Sequence, residues 1–146
     1  GRQHATVTAI TSGQVRLCLS GELFDEVRRL LSRPELHKRL PALTPEHVGK
    51  ILTKTLEYAD WFSDVPKRFS LPHHPKDDHV FNLAVAAGVL YLVTWEERLL
   101  RLQEQDPRAA KELQSLAPRL RVLDPKEFSR LVHQDPKLPH KSEENT

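Results

Sequence analysis

Two hydrophobic periods alternate along this chain, and their order sets the expected elements. "QVRLCLS" reads as a strand from Val15 to Leu19, with Ser20 as cap of the helix that follows. In "GELFDEVRRLLSRPEL", Leu23, Phe24, Val27, Leu30 and Leu31 fall at helical spacing. Glu26 lies at the edge of that stripe, whereas Glu22 and Asp25 point to water. "LTPEHVGKILTKTLEYADWF" has Thr44 as cap, Pro45 in its first turn, and an inner stripe of Val48, Ile51, Leu52, Thr55, Ala59 and Phe62. After a proline-bearing loop, "DDHVFNLAVAAG" is a helix facing inward through Val80, Leu83, Ala84 and Ala87, closed by Gly88. "VLYLVT" (89–94) is apolar without alternation and lies between helices, the pattern of a strand buried on both faces.

The remaining elements are shorter. "WEERLLRLQEQ" and "DPRAAKELQSLAP" are helical segments, "LRVL" (120–123) is a strand, and Asp124 caps a last helix with Glu127 three residues on. "GRQHATVTAITSG" is ambiguous: Ala5, Ala9 and Ile10 could share a helix face, but Thr6, Val7 and Thr8 are strand formers. The strand–helix alternation argues for a three-layer α/β/α sandwich with a mostly parallel sheet. Residues 1–131 form the domain, and 132–146, poor in apolar residues, form a loose tail.

Composition narrows the class. A chain of 146 residues fits one domain with its own core. It contains no apolar run of about 18 residues, so no helical membrane span is expected, and its start lacks the features of a signal peptide. The single cysteine, Cys18, sits in an apolar run where a buried, inert thiol is expected; this suits a reducing, cytoplasmic setting and excludes a disulfide framework. A net charge of +2 neither demands nor forbids nucleic acid. With no methionine and Gly1 in first place, the chain is expected to start downstream of its gene's start. Neither a glycine-rich phosphate loop nor a "GxSxG" elbow occurs.

In sheets of this class ligands bind beyond the carboxyl ends of the strands, and the acids gather there. Glu26, Asp77 or Asp78, and Glu96 come from three elements, as a site for a hard divalent cation requires. The competing reading makes Asp77 and Asp78 complements of a helix N-terminus and Glu96 a first-turn acid. His73, His74 and His79 in "LPHHPKDDH" match no compact zinc spacing and are expected to be solvent-exposed. Arg28, Arg29 and Arg33 could meet a phosphate backbone, or simply be a solvated helix face.

"SGELFDEVRRLLSRPEL", "FSLPHHPKDDHVFNLAVAAGVLYLVTWEERLL" and "LRVLDPKEF" resemble the PIN-domain family, most closely the bacterial VapC-like ribonuclease toxins of toxin–antitoxin pairs. The resemblance runs from about residue 5 to residue 131 and is most specific in its central block. It implies an α/β sandwich that binds Mg²⁺ or Mn²⁺ through a few acids and cuts RNA, with an antitoxin as protein partner; a homodimer is compatible with it. Glu26, Asp77 and Glu96 take the places of catalytic, metal-binding acids, with Asp78 as the neighbouring ligand position. Three departures stand out. His74 occupies a usually acidic place, Glu96 replaces the usual aspartate of "T-x-D", and Arg98 stands where a second aspartate commonly follows. The family's first strand, with an essential aspartate, has no counterpart after Gly1 and would lie between the strands at 15–19 and 89–94. The resemblance therefore implies a metal-dependent endoribonuclease, and the departures leave open a PIN module that binds RNA or protein without cutting.

Overall fold

The structure, a computed structural model, describes Ile10 and residues 12–134. Strand β1 spans Leu17–Leu19, followed by helices α1 (Gly21–Leu31), α2 (Pro34–Arg39) and α3 (Pro45–Tyr58). Strand β2 is Ala59–Trp61; a single 3-10 turn, Pro75–Asp77, then leads into α4 (Asp78–Ala87) and β3 (Tyr91–Val93). Helices α5 (Glu97–Leu100), α6 (Leu102–Gln105) and α7 (Pro107–Leu116) precede β4 (Arg121–Leu123) and α8 (Pro125–Gln134). The architecture is α/β with parallel strands, as the alternation predicts.

The caps follow the sequence. Ser20 Oγ accepts from the Leu23 amide at 3.2 Å, Thr44 Oγ1 from His47 at 3.2 Å, and Asp124 Oδ1 from Glu127 at 2.7 Å. Each satisfies a donor that the first turn leaves without an intrahelical partner. Gly88 ends α4 at φ 64°, a left-handed conformation that glycine adopts without a Cβ penalty.

Other expectations need correction. The long segment beginning at Gly21 breaks before Pro34, because the residue preceding a proline is pushed out of the helical region; Arg33 is extended at ψ 130°. The helix from Thr44 stops at Tyr58, and Ala59–Trp61 leaves it to pair with β1, Cys18 lying opposite Asp60. An Arg16–Asp60 ion pair at 2.6 Å ties the two strands, so a tertiary partner overrides the helical period. The inner stripe of α3 is not buried, and Ile51 is 42% exposed. Periodicity identifies an apolar face without specifying what covers it. The boundary at residue 131 falls inside α8, where Val132 is buried; residues 135–146 lie outside the described ones. So does the ambiguous stretch before Gly13, apart from Ile10 and Ser12.

The core lies beneath α4. Phe69, Leu71, Phe81, Leu92, Leu99 and Leu113 form one buried cluster, with Phe81 fully inaccessible and packed edge-on to Phe69 at 5.2 Å. A smaller cluster joins Phe128 and Val132 to Tyr91, with the two rings 5.8 Å apart.

Instead of one sheet, the described strands form two parallel pairs, β1–β2 and β3–β4. Between the pairs lies an apolar cavity of about 330 Å³, lined among others by Val15, Leu17, Leu83, Ala84, Tyr91 and Leu92. β1 and β3 thus border the same space and each ladders, among the described residues, with a strand on one side. For the same reason β3 is not buried on both faces: Leu92 is inside, but Val93 is 41% exposed. Cys18 is half-buried beside the cavity rather than enclosed. No helix of the described residues is long and apolar enough to cross a membrane.

Candidate active site

The first turn of α4 organises the acids. "LPHHPKDDH" enters through the 3-10 turn at Pro75–Asp77, where proline sets φ, and the helix proper begins at Asp78. Neither aspartate caps the helix with its side chain. Asp77 turns to Arg98, whose Nε donates to Oδ2 at 3.0 Å. Asp78 turns back, its Oδ1 accepting from the Leu71 amide at 2.7 Å. Four residues on, buried Asn82 accepts from the Arg68 and Phe69 amides at 2.9 and 2.8 Å and donates to the Phe69 carbonyl at 3.0 Å. Asp78 and Asn82, at i and i+4, share one face of α4 and strap the loop at 68–71 onto it.

Glu96 follows β3. The Thr94 amide donates to the Leu123 carbonyl, which ends the strand pair, and Thr94 Oγ1 accepts from the Glu96 amide at 3.0 Å, turning the chain. One residue after Glu97, Arg98 reaches back. Its Nη1 lies 3.7 Å from Glu96 Oε2 while Nε holds Asp77. The hydrogen bond to Asp77 first, then the charge of Asp77, raise the guanidinium's already high pKa; desolvation opposes them and the charge of Glu96 adds a lesser push, so it carries its charge at any working pH.

Glu26 arrives from α1. It accepts from His79 Nε2 at 2.7 Å, a contact spanning 53 residues. The His79 side chain is 14% exposed, and its Nδ1 is buried with no hydrogen-bond partner among the described residues. The tautomer donating from Nε2 leaves Nδ1 as an acceptor.

The three acids therefore meet residues 77–79 of a single turn: Asp77 within it, Glu26 through His79, and Glu96 through Arg98. Asp78 is directed instead to the loop backbone. His73 and His74 are exposed as expected, but His79 is not; it faces Glu26 because the first turn of α4 packs toward α1. Arg28 holds Asp25 at 3.3 Å, and Arg29 and Arg33 are exposed on α1 and at its end. Sequence reasoning missed His79, Asn82 and Arg98 as structural partners. Asn82, polar within an otherwise apolar helix run, carried the clearest signal.

Beside His79 opens a polar cleft of about 890 Å³, lined by Trp61, Lys67, Arg68, Lys76 and Asp78, with Glu22, Asp64 and Glu112 also on its walls. Its volume falls in the range of ligand clefts.

Carboxylate oxygens are the donors a hard divalent cation takes, and Asp77 and Glu96 together outweigh the one charge of Arg98. The arrangement, however, does not fit such a cation. Arg98 occupies the space between the two carboxylates, and the described residues contain no group of three or more histidine, cysteine or acidic side chains placed to hold a metal.

Comparison with curated proteins and with solved structures gives no match. A family model described as a PIN domain matches residues 2–98, which include β1, the strapped loop, α4, β3 and all three acids. That span covers well over half of the 146 residues and ends on Arg98. The chain belongs to the PIN-domain family, a family of nucleases.

Proposed function

We propose that this chain is an endoribonuclease whose working acids are Glu26, Asp77 and Glu96, with Mg²⁺ or Mn²⁺ as its cofactor and RNA as its substrate. The observation that carries this reading is the convergence of the three acids, from three separate elements, on residues 77–79. Membership of a nuclease family supports it. A divalent cation would supply charge stabilisation for phosphodiester cleavage, although with Arg98 between Asp77 and Glu96 these residues do not hold one in this arrangement. The chain's own residues orient the acids: His79 fixes Glu26, and the Thr94 turn presents Glu96. The polar cleft beside His79 is the path proposed for RNA, with Lys67, Arg68 and Lys76 toward phosphate. A toxin-like role with an antitoxin partner, in the cytoplasm, completes the proposal, with a domain that includes the whole of α8.

A second reading is favoured by one specific contact. Arg98 already neutralises part of the acid charge, as befits a module that binds RNA or a protein partner without cutting. The discriminating experiment incubates the purified chain with end-labelled single-stranded RNA in Mn²⁺ and in EDTA. Cleavage in Mn²⁺ alone supports the nuclease. Retention of RNA without cleavage in either buffer supports the binding module.

A further inference from the structure

Tryptophan is highly buried on average, yet Trp61 is 45% exposed on the wall of the polar cleft beside His79. We propose that Trp61 is a stacking platform for one unpaired base of a single-stranded RNA lying in that cleft. The inference rests on taking the cleft as the RNA path, and adds which form of RNA the cleft admits.

Three features carry it. First, the indole is held in place. Trp61 ends β2 opposite Leu19 in the parallel ladder, and the Phe62 amide that follows donates to the Leu19 carbonyl at 2.9 Å. The Phe24 ring packs against the indole with centroids 5.7 Å apart and planes at 58°. A tilted neighbour steadies the ring without stacking flat on it as a base would. A side chain already ordered loses little freedom when a ligand settles on it. Second, the ring and two cations come from one stretch of chain. After Trp61 the backbone turns at Asp64, at φ 53°, and returns along the cleft wall with Lys67 and Arg68, both exposed. Asn82 accepts from the Arg68 and Phe69 amides and so pins the far end of that stretch. An aromatic face beside cations on a fixed backbone is how single strands are held, base on ring and phosphate on charge. Third, charge alone does not suffice here. Lys67, Arg68 and Lys76 share the cleft walls with Glu22, Asp64, Asp78 and Glu112, three cations against four acids. A duplex presents its phosphates and keeps its base faces stacked inside, so it gains little from such a cleft. A single strand also offers base faces, and the indole is there to meet one. The contacts favour the unpaired strand.

The test reads RNA binding instead of cleavage. Fluorescence anisotropy in EDTA follows a labelled oligouridylate, and a labelled RNA duplex of the same length, on the full chain and on its Trp61→Leu and Trp61→Phe variants. Circular dichroism confirms that each is folded. The parent should bind the single strand more tightly than the duplex. Trp61→Leu keeps apolar bulk against Phe24 but has no ring, and should lose about five- to a hundredfold in single-strand affinity, the range of one base–aromatic stack. Its duplex affinity should stay near the parent's, whereas a merely structural role for Trp61 would lower both. Trp61→Phe should recover most of the loss. Equal single-strand affinity of parent and Trp61→Leu overturns the proposal, as does a parent that prefers the duplex or binds no single strand. A second measurement holds even where Trp61→Leu does not fold. Trp95→Phe leaves Trp61 as the sole tryptophan of the chain. Its emission should be quenched by oligouridylate and not by the duplex, and emission unmoved at saturation overturns the proposal. Weakened single-strand binding by Trp61→Leu, in a chain that cuts no RNA in Mn²⁺, leaves this inference standing and removes the nuclease reading. Mn²⁺-dependent cleavage by a chain whose Trp61→Leu variant binds as the parent does is the reverse result.

Discussion

Arg98 and Asp77 are 21 residues apart in sequence and joined by a 3.0 Å hydrogen bond that also brings Glu96 to the same guanidinium. The contact links the turn that opens α4 to helix α5, which follows β3. Asp77→Asn keeps the shape and one acceptor oxygen but removes the charge. We expect RNA cleavage to be abolished while the melting temperature changes little, since an amide is a poor replacement for a charged oxygen ligand. Gel-based cleavage assays alongside thermal melts check this. Activity retained in both Asp77→Asn and EDTA would point to a contaminating nuclease.

Asn82→Ala should be costly although it touches no candidate acid. Its side chain is 3% exposed and partners two amides and one carbonyl of the loop at 68–69. Leaving those groups without partners costs about 1–3 kcal/mol for each one that water does not reach. The expected loss of at least about 2 kcal/mol is a large part of a marginal stability. Urea denaturation measures it, and a midpoint equal to the parent's would show that the strap carries no stability.

Part of this arrangement was legible beforehand. The caps at Ser20, Thr44 and Asp124 and the stop at Gly88 were readable because each is a local bargain between one side chain and one turn. The acids Glu26, Asp77 and Glu96 were singled out by their places relative to the strands. Their partners were not, because Glu26–His79 and Asp77–Arg98 join residues 53 and 21 positions apart and leave no periodic trace. β2 was hidden for a similar reason. Ala59 and Phe62 continue the helical spacing of α3, and only pairing with β1 pulls Ala59–Trp61 out of it.

The cavity between the strand pairs makes its own prediction. β1 and β3 each ladder on one side among the described residues, whereas α4 carries the inaccessible Phe81. Amide hydrogen exchange should therefore be faster at Tyr91–Val93 than at Phe81–Ala84. Equal protection would mean that a further strand occupies the space the cavity leaves, at the position where the family resemblance implies one.

The polar cleft predicts a salt signature. If Lys67 and Lys76 meet phosphates, replacing both with alanine should weaken RNA binding and reduce the slope of log affinity against log salt by about 1.4, near 0.7 for each contact to a single strand. Fluorescence anisotropy with a labelled oligonucleotide at several salt concentrations gives the slope. An unchanged slope would place RNA elsewhere, and Arg28, Arg29 and Arg33 would be the next residues to replace.

The most direct measurement is a crystal of this chain grown in Mn²⁺ and recorded for its anomalous signal. If Glu26, Asp77 and Glu96 are the working acids, the manganese peak lies beside their carboxylates. A saturated crystal with manganese bound elsewhere, or not at all, would contradict the assignment of these acids.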